Sequence, residues 1–505
     1  MSTAQTEAGD GSFDPGVSTV AGTGVAGSTG DGEAAVTAQL NLPYGVAVDR
    51  DGTLYISESS GHRVRKVTPD GKIATVAGTG VAGRGGSGDR AVAAQLNLPR
   101  GVAVDGAGNL YIADQVNHRV RKVTADGKIA TVAGTGTAGF TPDGRLATEA
   151  LLNGPFGLAV DSTGTLYIAE YTGHRVRKVT ADGKIATVAG TGTEGFTPDG
   201  RLATETLLNR PFGVAVDSTG TVYIADSFNH RVRKVTADGK IATVAGTGAP
   251  AFGGDGEPAA SAQLHFPGQM VVDSTDTLYI CDHKNHRIRR ITADGKISTV
   301  AGTGTASFED GPASSAKLHT PAGLAMDCVG TLYIADSANH RVRKVASAKM
   351  AGLPESGTVV SWANVRSGLR MGVWRESTKD GAEVHQSLSS PRAHQRWRLI
   401  VAGEDEGEVV YRVENLRSGK VLEVVGGGTV EGAVVAQRAY EGSGAGHQQW
   451  RLIPVGSAAD APRVYELANR NSGLLLRVGT NAPTVIKQYG AQGDHRDRQW
   501  QLLPV

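Results

Sequence analysis

A basic hexapeptide, His-Arg-(Val/Ile)-Arg-(Lys/Arg)-(Val/Ile), occurs six times in this chain of 505 residues. A sequence period of 50 to 60 residues is typical of one structural unit stacked on copies of itself. The spacing therefore predicts one repeat array over about two-thirds of the chain. The copies begin, at intervals of 56, 56, 56, 56 and 54 residues, at His62, His118, His174, His230, His286 and His340.

Each repeat has the pattern of four short β-strands. In the fourth copy, runs rich in Val, Ile, Tyr and Thr cover 211–217, 221–226, 231–236 and 241–248, and turns rich in Gly, Asp or Asn separate them. Four antiparallel strands repeated radially predict a β-propeller, here with six blades. The third run places Val232 and Val235 on opposite faces of its strand, which predicts a β-bulge.

The N-terminus is expected to close the ring. The string Thr-Val-Ala-Gly-Thr-Gly occurs six times, but its first copy precedes the first complete repeat and the sixth repeat lacks one of its own. We therefore expect residues 17–24 to form the outer strand of the sixth blade, which removes the open sheet edges. Residues 1–16 are expected to form a disordered tail.

The repeated strings resemble the NHL repeat family. They are Pro-x-Gly-Val-Ala-Val-Asp, Leu-Tyr-Ile-Ala-Asp, Asn-His-Arg-Val-Arg-Lys and Thr-Val-Ala-Gly-Thr-Gly, and the resemblance covers about residues 17–346. It implies a six-bladed propeller. Some lyases that resemble this family bind a metal in the channel, and some animal relatives bind RNA, so both activities are weighed below.

One face of the propeller is the candidate binding surface. It carries the loops that precede each first strand and those that join the second strand to the third; we call it the mouth face. Its residues differ between blades, whereas the turns of the opposite face are nearly identical. Varied positions, several of them aromatic, are free to serve a ligand; drift at tolerant positions is the alternative. The candidates are Tyr44, Arg100, Gln115, Phe156, Tyr171, Phe212, Phe228, His283 and Lys284.

The six repeated histidines are interpreted as structural. A catalytic metal needs about three ligands from unequal positions, whereas each of these histidines follows an Asp or Glu by four residues in every blade. A hydrogen bond between the histidine, or its backbone, and this carboxylate would lock the loop. His283 occurs in one blade only, and this asymmetry makes it a weak catalytic candidate. We assign no catalytic residue and no metal ligand.

The C-terminal part contains a second kind of repeat. After a small-residue linker at 347–356, Trp397, Trp450 and Trp500 follow at spacings of 53 and 50 residues, and each unit contains an Asn-x-x-Ser-Gly segment. These units resemble the ricin-type β-trefoil lectins over about residues 357–505. The resemblance implies an all-β trefoil with the tryptophans in its core.

The same resemblance implies a sugar site built from an acidic residue, a glutamine and a nearby aromatic ring. The carboxylate would hold sugar hydroxyls, and the ring would stack on the apolar sugar face. The first and third units have Gly372 and Arg477 at the acidic position. The second is nearest to the full set, with Glu423, Gln437 and Tyr440. Carbohydrate binding is therefore expected to be degenerate, and a protein-contact or spacing module is the alternative.

Composition argues against several other classes of protein. The net charge of +1 gives no general attraction to nucleic acid or to an anionic membrane. The two cysteines, Cys281 and Cys328, are expected to be free thiols, since a disulfide-stapled protein would carry more. We find no signal peptide pattern and no apolar run of about 20 residues. We expect a monomer that is cytoplasmic or exported without a recognisable signal peptide.

The expected function is that of a non-enzymatic binding protein without a cofactor. The mouth face would hold a protein, peptide or glycan, and a second, weak site on the trefoil would raise avidity. One alternative is a propeller-type lyase or hydrolase with a metal at the channel mouth and the trefoil as a glycan-targeting module. Another is that the trefoil carries the whole activity. An aromatic mouth favours binding, whereas asymmetric histidines or carboxylates in the channel favour the enzyme.

Overall fold

The computed structural model describes residues 15–347 and 353–504, with gaps in the second range at 366, 368, 388–391, 406, 443, 456–463, 479–485 and 491–497. The fold is all-β, as predicted, and its other regular elements are single turns of 3-10 helix. Except for Pro15 and Gly16, the predicted disordered tail lies outside the described residues. So does 348–352 of the predicted linker.

Six antiparallel sheets surround a central channel and form the predicted six-bladed propeller. Within each blade, the strands run in order from the channel outwards. Blades one to three comprise Pro43–Val48, Leu54–Glu58, Arg63–Val67 and Ile73–Ala77; Pro99–Val104, Leu110–Asp114, Arg119–Val123 and Ile129–Ala133; and Pro155–Val160, Leu166–Glu170, Arg175–Val179 and Ile185–Ala189. Blades four to six comprise Pro211–Val216, Val222–Asp226, Arg231–Val235 and Ile241–Ala245; Pro267–Val272, Leu278–Asp282, Arg287–Ile291 and Ile297–Ala301; and Pro321–Met326, Leu332–Asp336, Arg341–Val345 and Gly16–Ala21, with Gly311–Pro312 at the edge.

Short 3-10 turns lie in the loops of both domains. They are Ala35–Thr37, Ala91–Ala93, Gln115–Asn117, Ala147–Glu149, Ala203–Glu205, Ser227–Asn229, Ala259–Ser261, His283–Asn285, Ser337–Asn339, Trp374–Glu376, Ala393–Gln395, Val425–Gly427 and Gly446–Gln448. Among the described residues, no helical segment has the length and apolar character needed to cross a membrane.

The N-terminal strand closes the ring as predicted. Val17 pairs with Val345 and Ser18 with Lys344, so Gly16–Ala21 is the outer strand of blade six. A bulge is present where the third strand pairs with the fourth, but its predicted place in the third strand is wrong. Val232 pairs with Ala245 while Arg233 pairs with Thr243, and the extra residue between these pairs belongs to the outer strand.

The first strands of neighbouring blades approach one another at the Pro-x-Gly position. A Cβ atom on Gly101 would overlap the carbonyl oxygen of Phe156 in the next blade, so this position requires glycine. Blade five departs from the pattern with Gln269. Its side-chain amide donates a hydrogen bond to the carbonyl of Leu158, 3.3 Å away in blade three. Gln269 therefore fills part of the channel.

The second arginine of each hexapeptide is buried inside its blade. In blade six, Arg343 lies 3.0 Å from Asp336 at the end of the second strand, and Asp310 of the preceding loop pairs with the same guanidinium. In blades one, four and five, this arginine also pairs with two carboxylates. One ends the second strand and the other lies in the preceding loop. The inner arginines are fully buried, so they cannot contact nucleic acid; they are Arg65, Arg121, Arg177, Arg233, Arg289 and Arg343.

The repeated histidines lock the blades together, but the predicted bond to the carboxylate is wrong. His62 Nδ1 accepts the N–H of Leu98 at 3.2 Å, and His118 Nδ1 accepts the N–H of Gly154 at 3.1 Å. In every blade the donor is a backbone amide just before the first strand of the next blade. Burial lowers the pKa of these histidines, which favours the neutral ring that can accept this bond.

The C-terminal domain is a closed sheet with a threefold pattern. Its tryptophans are fully buried, as predicted, and Trp397, Trp450 and Trp500 each donate Nε1–H to a carbonyl of the same unit at 3.0 to 3.1 Å. The strands are Val359–Asn364, Arg370–Val373, Ala382–Ser387, Trp397–Asp405, Glu408–Asn415, Val421–Val424, Val435–Arg438, Trp450–Val455, Val464–Asn469, Leu475–Val478, Ile486–Tyr489 and Gln499–Pro504.

The C-terminal domain packs on the propeller face opposite the mouth, against blades six and one. Val329, in a turn of blade six, is buried in the apolar core of the C-terminal domain. Arg412 pairs with Asp51 of blade one at 2.8 Å. Both propeller residues lie in turns between first and second strands, so the mouth face stays uncovered by this domain.

Candidate binding sites

Six aromatic rings gather at the mouth of the channel, and we call them the mouth cluster. Phe156 lies at its centre, with ring centroids 4.4 Å from Phe212, 4.9 Å from Tyr171 and 5.3 Å from Tyr44. Phe228 continues the cluster outwards and packs edge-on against Phe266 at 4.6 Å. The structure thus brings together the five aromatic residues predicted from the sequence and adds Phe266.

Two guanidinium groups lie against these rings. The Cζ atom of Arg100 is 4.3 Å from the ring centroid of Tyr44, and its Nε donates to Oε1 of Gln115 at 2.9 Å. Arg210, which the sequence analysis missed, lies 4.7 Å from the ring of Phe228. Cation–π contacts of this kind hold each guanidinium in place.

The fifth blade contributes His283 and Lys284. Lys284 is exposed. His283 is 5.9 Å from Phe212, its Nδ1 lies 3.0 Å from the carbonyl oxygen of Pro321, and burial lowers its pKa to about 4. The ring is therefore neutral at physiological pH.

The mouth surface is closed rather than hollow. Phe156 is 4% exposed, so the expectation that it is an exposed contact is wrong: the neighbouring rings cover it. Behind it, the gap lined by Tyr44, Phe212 and Gln269 has a volume of about 10 Å³. A gap of this size barely admits one water molecule. The mouth offers a surface and not a small-molecule pocket.

The residues predicted for a sugar site do not form one cradle. Gln437 is buried, and its amide is used up by Ser418, Ser377 and Lys379. Gln386 and Gln488 bind serine in the same way, so this glutamine is part of the fold. Its predicted contact with sugar is wrong because it has no exposed atoms.

The other two predicted sugar contacts have protein partners. Glu423 is 1% exposed and accepts from Arg438 Nε at 2.8 Å. The ring of Tyr440 lies 4.5 Å from the guanidinium of Arg412, which in turn pairs with Asp51 of the propeller. Tyr440 therefore belongs to the neighbourhood of the domain interface.

The first unit contains an exposed aromatic residue that the sequence analysis missed. Trp374 is 40% exposed, and its ring stacks on His385 with centroids 4.4 Å apart. Glu376, two residues further on, pairs with Arg417 at 3.0 Å. Comparison of the three units could have identified Trp374, because the second and third units have Val425 and Gly479 at the equivalent position.

No metal site emerges in the part of the chain that the structure describes: it contains no group of three or more His, Cys, Asp or Glu side chains placed to hold an ion. Both cysteines are free, Cys281 buried and Cys328 exposed. Cys328 borders a cleft of about 470 Å³, which lies between blades five and six on the face opposite the mouth.

The fold is a six-bladed propeller joined to a closed-sheet domain, and family models match both parts. The teneurin NHL domain family matches residues 18–82, 80–142 and 257–346, and the NHL repeat family matches 208–235. The ricin-type beta-trefoil lectin domain-like family matches 349–438 and 394–489. Both resemblances predicted from the sequence are confirmed.

Individual proteins match parts of the chain. Protein SUPPRESSOR OF QUENCHING 1, chloroplastic, of Arabidopsis thaliana is 30% identical over 270 residues, which are 50% of this chain and 25% of that protein. Teneurin-3 of Mus musculus is 28% identical over 358 residues, 62% of this chain and 12% of its own. The chain thus spans a quarter or less of these relatives.

Among solved structures, a structural genomics protein of unknown function from Bacteroides thetaiotaomicron VPI-5482 is similar with a TM-score of 0.50 and 20% identity. The match covers 66% of this chain and 75% of that one, and it shows the fold alone. The matches to the NHL and lectin-like families fit a binding role, and they show no specific ligand.

Proposed function

We propose that this is a non-enzymatic binding protein whose mouth cluster holds a partner protein or peptide. The observation that carries the proposal is the concentration of aromatic rings and guanidinium groups at positions that vary between blades. Aromatic residues and arginine are the side chains enriched in the energetic centres of protein interfaces. The closed surface also favours a macromolecular partner over a small ligand.

Substitution of the outer rings tests the proposal. A random peptide library is selected on the immobilised full chain, and the Kd of the best peptide is measured by calorimetry. We expect Phe228→Ala or Tyr171→Ala to raise this Kd at least tenfold, because a buried aromatic hot spot contributes about 2 kcal/mol or more.

Phe140→Ala is the matched control for these variants. Phe140 is 42% exposed and lies 3.9 Å from the guanidinium of Arg175, but it is outside the mouth. An equal loss of affinity in the control, or no loss in the mouth variants, would contradict the proposal. One bound metal ion per chain in the purified protein would instead favour the lyase or hydrolase alternative.

We further propose that the C-terminal domain binds carbohydrate through Trp374 rather than through Glu423. An exposed indole offers a flat apolar surface on which a sugar ring can stack. The position of the domain on the face opposite the mouth favours a bridge between two partners over the avidity expected from the sequence.

A glycan array tests this second proposal. We expect Trp374→Ala to abolish glycan signals that the full chain gives, since the variant loses the indole on which the sugar would stack. Glu423→Gln is expected to keep those signals, because Glu423 is buried against Arg438. Loss of the signals in Glu423→Gln but not in Trp374→Ala would instead place the sugar site in the second unit.

A further inference from the structure

We propose that the partner segment held at the mouth is an acidic peptide. This inference rests on the proposed function of the mouth and adds the chemistry of its ligand. It depends on the charges that the mouth presents to solvent, on how its guanidinium groups are held, and on which ring faces remain open.

The exposed charge of the two sets of loops that surround the mouth cluster is positive. The mouth loops are defined as the four residues around the start of each first strand, such as 97–100, and the five from the end of the second strand to the start of the third, such as 114–118. Their Lys and Arg residues are Arg100, Arg210 and Lys284. Their carboxylates are those that end the second strands, and each is fully buried: Glu58, Asp114, Glu170, Asp226, Asp282 and Asp336.

The two guanidinium groups are prepared for an anion. Arg100 is held by two rings, 4.3 Å from that of Tyr44 and 5.2 Å from that of Phe156, and its Nε is bonded to Gln115. No carboxylate in the described residues pairs with Arg100 or Arg210. A guanidinium that is already ordered loses less conformational entropy when it forms a bidentate pair with a carboxylate.

A peptide fits this surface better than an acidic polysaccharide does. Sugar rings need open aromatic faces, whereas here the rings pack against one another and against the guanidinium groups. What remains for a partner is the ring edges and the donors of Arg100 and Arg210. Carboxylates flanked by apolar side chains match that combination.

Binding of charged homopolymers tests the inference. The full chain is titrated with labelled poly-L-glutamate, poly-L-lysine and polygalacturonate at low and at moderate salt. We expect poly-L-glutamate to bind, and binding to weaken with salt as exposed charges are screened. The triple variant R100Q/R210Q/K284Q should raise the Kd for poly-L-glutamate at least tenfold.

The control variant carries the same change of charge on the opposite face. K128Q/K184Q/K240Q replaces lysines that are 68, 57 and 52% exposed, each paired with an exposed aspartate two residues away. We expect its Kd for poly-L-glutamate to stay within twofold of the wild-type value. If both variants lost affinity for poly-L-glutamate equally, the net charge of the protein would explain the effect, and the inference would be overturned.

Two further outcomes separate this inference from the proposed function. If polygalacturonate binds and poly-L-glutamate does not, the peptide inference is overturned in favour of an acidic glycan. If the triple variant binds every probe and the selected peptide as well as wild type does, the inference fails, while loss of the selected peptide in Phe228→Ala would still support the mouth as the site. If neither R100Q/R210Q/K284Q nor Phe228→Ala weakened binding, both proposals would be overturned.

Discussion

The double variant Glu170→Asp/Gly173→Asn is expected to stabilise the propeller by roughly 1–3 kcal/mol at pH 9, because it gives a buried carboxylate the partner that it lacks. In blades two, four, five and six, the second strand ends in Asp and is followed three residues later by Asn. Asn117, for example, donates to Asp114 at 2.9 Å and to the carbonyl of Gly83 at 2.6 Å.

Blades one and three have Glu and Gly instead. A Cβ on Gly173 would stand 2.5 Å from Oε2 of Glu170, so glycine makes room for the longer acid. Both carboxylate oxygens of Glu170 are buried and lack a well-formed hydrogen bond within the described residues. The two substitutions should therefore be coupled: either one alone leaves a clash or a void, and only the pair restores the network.

The gain should depend on pH. Burial raises the pKa of Glu170 to about 8, so the folded state holds this proton more tightly than the unfolded state does. The resulting stability is complete below pH 4.5 and is lost as pH rises through 8. Burial raises the pKa of Asp114, Asp226 and Asp282 only to about 6. A blade with an Asp–Asn pair should therefore lose less stability as pH rises. The difference between variant and wild type should thus grow between pH 6 and 8.

Urea unfolding at pH 6, 7.5 and 9 measures this difference. The matched control is E58D/G61N in blade one, where Glu58 already accepts from Ser28 at 2.7 Å and from Arg65 at 3.3 Å. We expect a smaller gain there. Equal gains in the two blades, or a gain in blade three that ignores pH, would contradict the assignment.

The period of the sequence was enough to predict the ring and its closure, because both follow from strand pairing within a repeat or between the two ends of the array. The partner of the repeated histidines was not predictable in this way. His62 reaches Leu98, 36 residues later, and no local spacing identifies an amide in the next blade. The Asp or Glu four residues before the histidine is close in sequence, but its carboxylate contacts other groups: Asp114, for example, accepts from Asn97 and Asn117.

The distinction between repeated and varied positions located the mouth residues better than it located the sugar site. Gln437 has counterparts in Gln386 and Gln488, which marks it as part of the fold, whereas Trp374 has none. Arg210 and Phe266 were missed because the comparison began after the proline of the first strand, and they stand just before it. The same comparison, begun two residues earlier, would have found both.

Gly357→Ala is expected to separate the C-terminal domain from the propeller. Gly357 has φ +90° in the turn that opens the domain, and a Cβ there would overlap the carbonyl oxygen of Pro69 in blade one. The turn cannot move away without withdrawing Val329 from the core of the C-terminal domain. Burial of a valine contributes about 1.5–3 kcal/mol, so the overlap opposes a substantial part of the docking energy. Small-angle scattering should show a larger radius of gyration.

Gly407→Ala separates this effect from backbone strain. Gly407 has φ +84°, close to that of Gly357, but a Cβ there meets no atom within 4 Å. Both variants suffer the strain of a left-handed alanine, and only the first disturbs the interface. We expect calorimetry of Gly357→Ala to resolve two transitions, and that of Gly407→Ala to keep the wild-type profile at a slightly lower temperature. Identical profiles would mean that the contact between Gly357 and Pro69 does not hold the domain, and that Val329 and the Arg412–Asp51 pair suffice to dock it.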